Sequence, residues 1–320
     1  MFGRRSFIFG SATTAVLGLA SGVEASDQIT VVTTTGMIAD AARQVGGDVI
    51  TVQVLMGPGV DPHTYRQTRS DIVALTRADL VLWHGLYLEA QMEVLMADLA
   101  RKRPVVAVAE ALPRDVLLGH DDYADKFDPH VWMVPTLWAD VVAEVCRALT
   151  EVAPQHADHF AARAAAHTAE LNRLAAYATA QLLAVPEPAR VLVTAHDAFG
   201  YFGAAYGFEV IGIQGISTES EVGLSRVRSL VELLVDRGID AVFVESSVSD
   251  RNIRALIEGA AAKGHEVAIG GELFSDAMGP EGSYESTYIG MIDHNVTVIA
   301  AALGVAVPPR GLNGLLGLGS

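Results

Sequence analysis

The sequence predicts an α/β protein of two lobes, each a parallel sheet flanked by helices, joined by one long rigid helix. Three observations carry that prediction. Short apolar runs alternate with amphipathic stretches from end to end, the pattern of parallel sheets covered on both faces. The alternation comes as two separate series, which fits 320 residues, too many for one ordinary core. Between the series, residues 154–183 hold no internal Pro or Gly and are rich in Ala, Glu, Arg and Leu.

Residues 1–25 read as an export leader. Arg4-Arg5-Ser6-Phe7-Ile8 precedes an apolar run, and Val23-Glu24-Ala25 suits signal peptidase. The paired arginines point to the twin-arginine route, with a general secretory leader as the alternative; both export the chain. The run is diluted by Gly, Ser and Thr and is barely long enough to span a bilayer, so no retained anchor is expected. No cysteine follows the leader, so no lipid tether is expected either. A soluble, monomeric protein of the periplasm is the expectation.

The first lobe spans residues 26–153. Strands are expected at 29–33, 50–56, 80–83 and 105–108, with helices at 38–45, 71–78, 88–99 and 137–150. The last of these holds Cys146, the single cysteine, which excludes a disulfide framework and a thiolate metal cluster. The linking segment, 154–185, places Phe160, Ala164, His167, Leu171, Leu174, Ala178 and Leu182 at helical spacing. One helix of roughly 28 residues would be about 42 Å long, enough to bridge two lobes as a strut. The second lobe, 186–308, repeats the rhythm with strands at 190–195, 208–213, 241–244 and 267–269. Its helices are expected at 199–206, 224–237, 252–263 and 288–303. The glycine-rich segment 309–320 reads as a flexible tail.

In open α/β sheets ligands gather beyond the carboxyl ends of the strands. His63 follows the second strand through "GPGVDP", and His130 follows the acidic loop "LGHDDYADKFDP". His196 ends the strand "RVLVTAH", and Asp276 lies in "GGELFSDAMG". Three imidazoles and a carboxylate, two from each lobe, make an N3O shell for a divalent first-row metal. Each has a plainer reading: His63 and His130 could cap helices, His196 could sit in the core, and Asp276 could be an N-cap. Both His63 and His130 close an Asp-Pro-His corner, in which proline stiffens the approach to the imidazole. Asp61, Asp128 and Asp197 are candidate acceptors for orienting the rings. Glu245 is a second oxygen ligand or acceptor ranked below Asp276, and His120 on the acidic loop could meet incoming metal first. His156 and His159 read as solvated surface, and His167 as a packing residue.

These residues carry a resemblance. Residues 57–89, "DPHVWM", residues 194–221, residues 240–256 and "GGELFSDAMG" are similar to the solute-binding proteins of zinc and manganese ABC importers, the cluster A-I family. Coverage runs from about Gln28 to Gly304. The resemblance implies periplasmic capture of one Zn2+ or Mn2+ ion as transported ligand, delivery to a permease and its ATPase, and no enzymatic activity. The family's ligands fall on His63, His130, His196 and Asp276. Two departures bear on the metal. The long His-rich loop of zinc-dedicated members is missing, and His196 stands where manganese-binding members often have glutamate. His84 also replaces a usual asparagine. The donor set leans slightly to zinc.

The formal charge is −16, and removing a leader with Arg4, Arg5 and Glu24 makes it more negative still, so nucleic acid is a poor partner. An exported zinc hydrolase is the rival reading. It would need an open metal position and a general base, and the chain has no His-Glu-x-x-His. A serine hydrolase lacks its Gly-x-Ser-x-Gly elbow. Aromatics are only 7% of the chain, too few for a cleft that stacks an organic solute.

Overall fold

A computed structural model describes residues 28–119 and 126–317; the leader expected at 1–25 lies outside the described residues. The first lobe is built on a four-stranded parallel sheet, in the order β2 (Ile50–Val54), β1 (Ile29–Thr33), β3 (Leu80–Trp83), β4 (Val105–Ala107). Helices α1 (Gly36–Gly46), α2 (Arg69–Arg77) and α3 (Glu93–Ala100) connect the strands. The chain then enters α4 (Pro135–Val152), which takes Pro135 in its first turn, where a missing N–H costs nothing.

The second lobe pairs β5 (Val191–Thr194) with β6 (Glu209–Gly212) and β7 (Ala241–Glu245) with β8 (Ala268–Leu273), both parallel. β5 also runs beside β7. Helices α6 (Gly200–Tyr206), α7 (Leu224–Arg237), α8 (Arg251–Ala262) and α9 (Tyr288–Ala302) complete it. The strand expected at 267–269 is longer than its sequence suggests, because Gly270 and Gly271 belong to β8 instead of ending it. A side chain at Gly271 would come within 2.4 Å of Val298 on α9, and one at Gly270 within 2.8 Å of Phe243 on β7. The glycines let a strand pass between a helix and its neighbour, with a register shift at Val242/Phe243.

The strut is α5 (Ala157–Leu182), 26 residues, after a short 3-10 turn at Pro154–His156. All seven positions expected on its apolar stripe are buried. They face α1, α4 and α9, helices drawn from both lobes. One apolar core therefore runs from Val31 and Trp138 through Leu171 and Leu174 to Phe243 and Ile299, with smaller clusters on the outer side of each lobe. The strut is embedded between the lobes, and packed interiors resist shear. α9 is buried from Gly290 through Ala300, as a helix at that centre must be. The segment expected as a flexible tail docks here through Gly317. Leu316 is buried, and the Leu312 N–H donates to both Asp293 carboxylate oxygens at 2.8 and 2.9 Å.

Candidate metal centre

The four expected ligands meet in one place. His63, His130, His196 and Asp276 each offer a ligand atom, and these atoms all lie within 4.8 Å of one another. All four side chains are buried. His63 and His130 bring their Nε2 atoms to 3.3 Å. Asp276 spans His130 and His196, with Oδ1 3.4 Å from His130 Nε2 and Oδ2 3.2 Å from His196 Nε2. His196 Nε2 and both Asp276 oxygens have no hydrogen-bond partner. Buried polar atoms of this kind are normally satisfied, so an orphaned cluster points to something that belongs between them.

The two Asp-Pro-His corners share a local device. The Asp61 Oδ1 accepts from the His63 N–H at 2.9 Å, and Asp128 Oδ1 accepts from the His130 N–H at the same distance. An aspartate that captures the amide two residues on makes an Asx turn, and the intervening proline stiffens it. Asp128 does more than Asp61, since its Oδ1 also accepts from His130 Nδ1 at 2.7 Å and leaves Nε2 for the centre. Gly200 permits this, because a Cβ there would sit 2.7 Å from Asp128 Oδ2.

His196 is oriented by Glu245. That carboxylate accepts from His196 Nδ1 at 2.5 Å and from the His196 N–H at 2.9 Å. Of the expected acceptors, Glu245 takes this part and Asp197 does not; Asp197 lines a separate hollow of the second lobe. The reason is topological: β7 lies beside β5, so the residue ending one strand faces the residue just past the end of the other. His84 donates through Nε2 to the Pro129 carbonyl at 2.7 Å and packs edge-on against Trp132, bracing the second corner. His120 lies outside the described residues.

Two supports were invisible in the sequence pattern. Asn295 on α9 clamps the backbone leading to Asp276, accepting from the Phe274 N–H at 2.9 Å and donating to its carbonyl at 2.7 Å. Trp132 donates to the Ser275 carbonyl at 2.8 Å, tying the His130 corner to the Asp276 loop across the lobes.

The electrostatics suit a cation. Burial alone would raise the Asp276 carboxyl, but the imidazoles of His196, His130 and His63 hold it well below the usual range. Burial would likewise lower His130, yet the Asp128 and Asp276 carboxylates together outweigh it and hold the ring up at about 9. His196 is also raised well above its ordinary value, against burial, by Asp276 and Glu245. His63 lacks a carboxylate on its ring, and burial pushes it down to about 3. Three carboxylates thus surround imidazoles that must be neutral to bind, leaving an excess of negative charge that a divalent ion would balance.

Glu89 is buried beside the centre. Its carboxylate accepts from Thr34 Oγ1 at 2.6 Å, the His84 N–H at 2.8 Å and the Gly85 N–H at 3.2 Å. These bonds brace a turn in which Leu86 and Tyr87 both have positive φ, 52° and 70°. Burial pushes the Glu89 carboxyl up to about 7, only partly countered by its three donors. The native state therefore keeps a proton that the unfolded chain releases near pH 4.5, and this contribution to stability falls as pH rises from about 4.5 to about 7. Glu89→Gln is expected to flatten that slope, on the order of 3 kcal/mol across the window. Urea unfolding of the metal-free protein at several pH values checks it; a variant slope equal to the wild type would refute the assignment.

The family described as zinc-uptake complex component A, periplasmic, matches residues 31–302. The manganese-binding lipoprotein MntA of Bacillus subtilis is 46% identical over 295 residues, covering 91% of this chain and 96% of that protein. The zinc-binding protein TroA of Treponema pallidum is 45% identical over 273 residues, covering 85% of this chain and 88% of TroA. The solved structure of periplasmic TroA superposes with a TM-score of 0.85, covering 87% of this chain and 100% of that one.

Proposed function

This chain belongs to the family of the periplasmic component A of zinc-uptake complexes, and on that premise we propose that His63, His130, His196 and Asp276 capture one divalent metal ion between the lobes. As a member it is the metal-binding periplasmic component of an ABC metal importer, not an enzyme. The permease and its ATPase are the partners we propose. The observation that carries the site assignment is the orphaned, buried convergence of three imidazoles and a carboxylate.

The metal we propose is zinc, by a narrow margin. A zinc ion with ligands at about 2.0–2.1 Å in a tetrahedron has donor–donor edges of roughly 3.3–3.4 Å. The contacts of 3.2, 3.3 and 3.4 Å lie near that scale, although the two to Asp276 use different oxygens and the four donors as a set lie within 4.8 Å of one another. Three imidazole nitrogens also suit zinc by softness. Asp276 turns both oxygens inward, which would let manganese reach a higher coordination number, and relatives of nearly equal identity are named for either metal. Elemental analysis of protein purified without added metal, followed by competition titration, tests the choice. Zinc should be retained and should displace manganese; the reverse order would overturn it.

We further divide the chain into a leader (1–25), lobes 26–153 and 186–308, and the linking segment 154–185. Among the described residues no helix is long and apolar enough to cross a membrane. Export by the twin-arginine route rests on Arg4 and Arg5, and unchanged export of the R4K/R5K variant would count against it.

A further inference from the structure

The second lobe reaches across the centre with a strap, residues 213–223, between β6 and α7. Its base is fixed beside His196: Ile213 N donates to the Thr194 carbonyl and Gln214 N to the Ala195 carbonyl, both at 3.0 Å. Its middle closes on itself, since Gln214 Nε2 donates to the Ser220 carbonyl at 3.1 Å. Its tip crosses to the first lobe. Thr218 Oγ1 donates to Asp61 Oδ2 at 2.5 Å, and Gln91 Nε2 donates to Glu219 Oε1 at 2.5 Å.

The first of these contacts lands on a working part. Asp61 holds the His63 N–H with its other oxygen, so one carboxylate links the strap to the first ligand's backbone. Asp61 Oδ2 also accepts from Thr64 Oγ1 at 3.1 Å, but Thr64 moves with the corner and cannot anchor it from outside. Thr218 supplies the anchor from the other lobe. A hydroxyl bonded to a charged carboxylate is among the stronger neutral-donor contacts, and 2.5 Å is at its short end.

The strap also borders a narrow hollow lined by His63. Ile216 and Ser217 meet Leu86, Tyr87, Lys126 and Phe127 around a hollow over His63 of only about 10 Å³, too small to hold a water comfortably. Behind the strap, Gly215, Ser220, Val222 and Arg226 line an open hollow of about 530 Å³. The strap thus packs tightly on its His63 side and has open space on the other.

Resting on the metal reading above, we propose that Thr218 is a positioning residue for metal retention. Its hydroxyl holds Asp61, and through Asp61 the His63 corner, so that the first lobe's ligand is set only when the second lobe's strap is in place. Withdrawal of the strap would loosen His63 and open that narrow hollow in one motion.

The test uses the full exported chain loaded with Zn2+ or Mn2+, with dissociation followed by stopped flow into excess chelator. Thr218→Val keeps the shape and removes the hydroxyl; it should release metal about tenfold faster, the low end of effects from groups behind a ligand. Thr218→Ser restores the donor and should return the rate to within about twofold of wild type, with melting of the metal-free protein unchanged in the serine variant and lowered by the loss of one hydrogen bond in the valine variant. Adding Thr218→Val to Asp61→Ala should change the rate no further, because the hydroxyl acts through that carboxylate. A Thr218→Val rate equal to wild type, a serine variant as fast as the valine one, or full additivity with Asp61→Ala would each overturn the strap. In all three cases metal binding by the wild type leaves the metal reading standing, whereas a wild-type chain that takes up neither ion sinks both.

Discussion

His196→Ala is expected to cost about two to three orders of magnitude in zinc affinity, read by competition titration. A structural zinc site is worth about 10–16 kcal/mol, so an even share among four ligands is roughly 3 kcal/mol each. His196 should lose at least that share. Its Nε2 faces Asp276 and its Nδ1 is held by Glu245, so removal takes away a donor and strands a buried carboxylate. His63→Ala and His130→Ala should fall in the same range, because each Nε2 is part of the same cluster. His167→Ala is the control. That ring lies on the strut with neither nitrogen hydrogen-bonded, so it works as packing and should leave affinity within about twofold while lowering thermal stability. Equal, small losses at all four positions would remove the proposed centre.

Glu245→Ala is expected to weaken zinc binding by about 10–100-fold, although Glu245 is not one of the four converging donors. Its work is to accept the Nδ1 proton of His196, which fixes the tautomer with Nε2 free to bind. It also holds the His196 backbone, so the ring loses both its orientation and its mount. Glu245→Gln keeps an acceptor oxygen without the charge and should fall between wild type and the alanine variant. Asp197→Ala should cost less than Glu245→Ala, since both the Nδ1 and the backbone N–H of His196 go to Glu245. If the Asp197 variant lost more affinity than the Glu245 variant, the assignment of orienting groups would be reversed.

The centre was legible in the sequence to an uneven depth. Both Asp-Pro-His corners could be read as stiff mounts, and the structure adds how they work, with each aspartate capturing the amide of its own histidine. That interaction spans two residues, so local sequence contains all of it. The same holds for the strut, whose stripe follows from helical spacing alone. Glycine reads differently from its role in two places after residue 186. Gly270 and Gly271 looked like a strand end, and the glycines after Pro309 looked like a loose tail. Gly270, Gly271 and Gly311 serve close approaches to partners far away in sequence, which no local rule detects.

The alternation of apolar runs, the unbroken helical stripe and the repeated corner were fixed by the chain on its own. Each depends on periodicity or on contacts a few residues long. Tertiary structure alone decided that Glu245 and not Asp197 orients His196, that Asn295 clamps the Asp276 loop, that a single core runs through both lobes, and that Thr218 reaches Asp61. These pairs join residues 49, 21 and 157 positions apart where a hydrogen bond defines them, and only the packing of strand on strand and lobe on lobe brings them within reach.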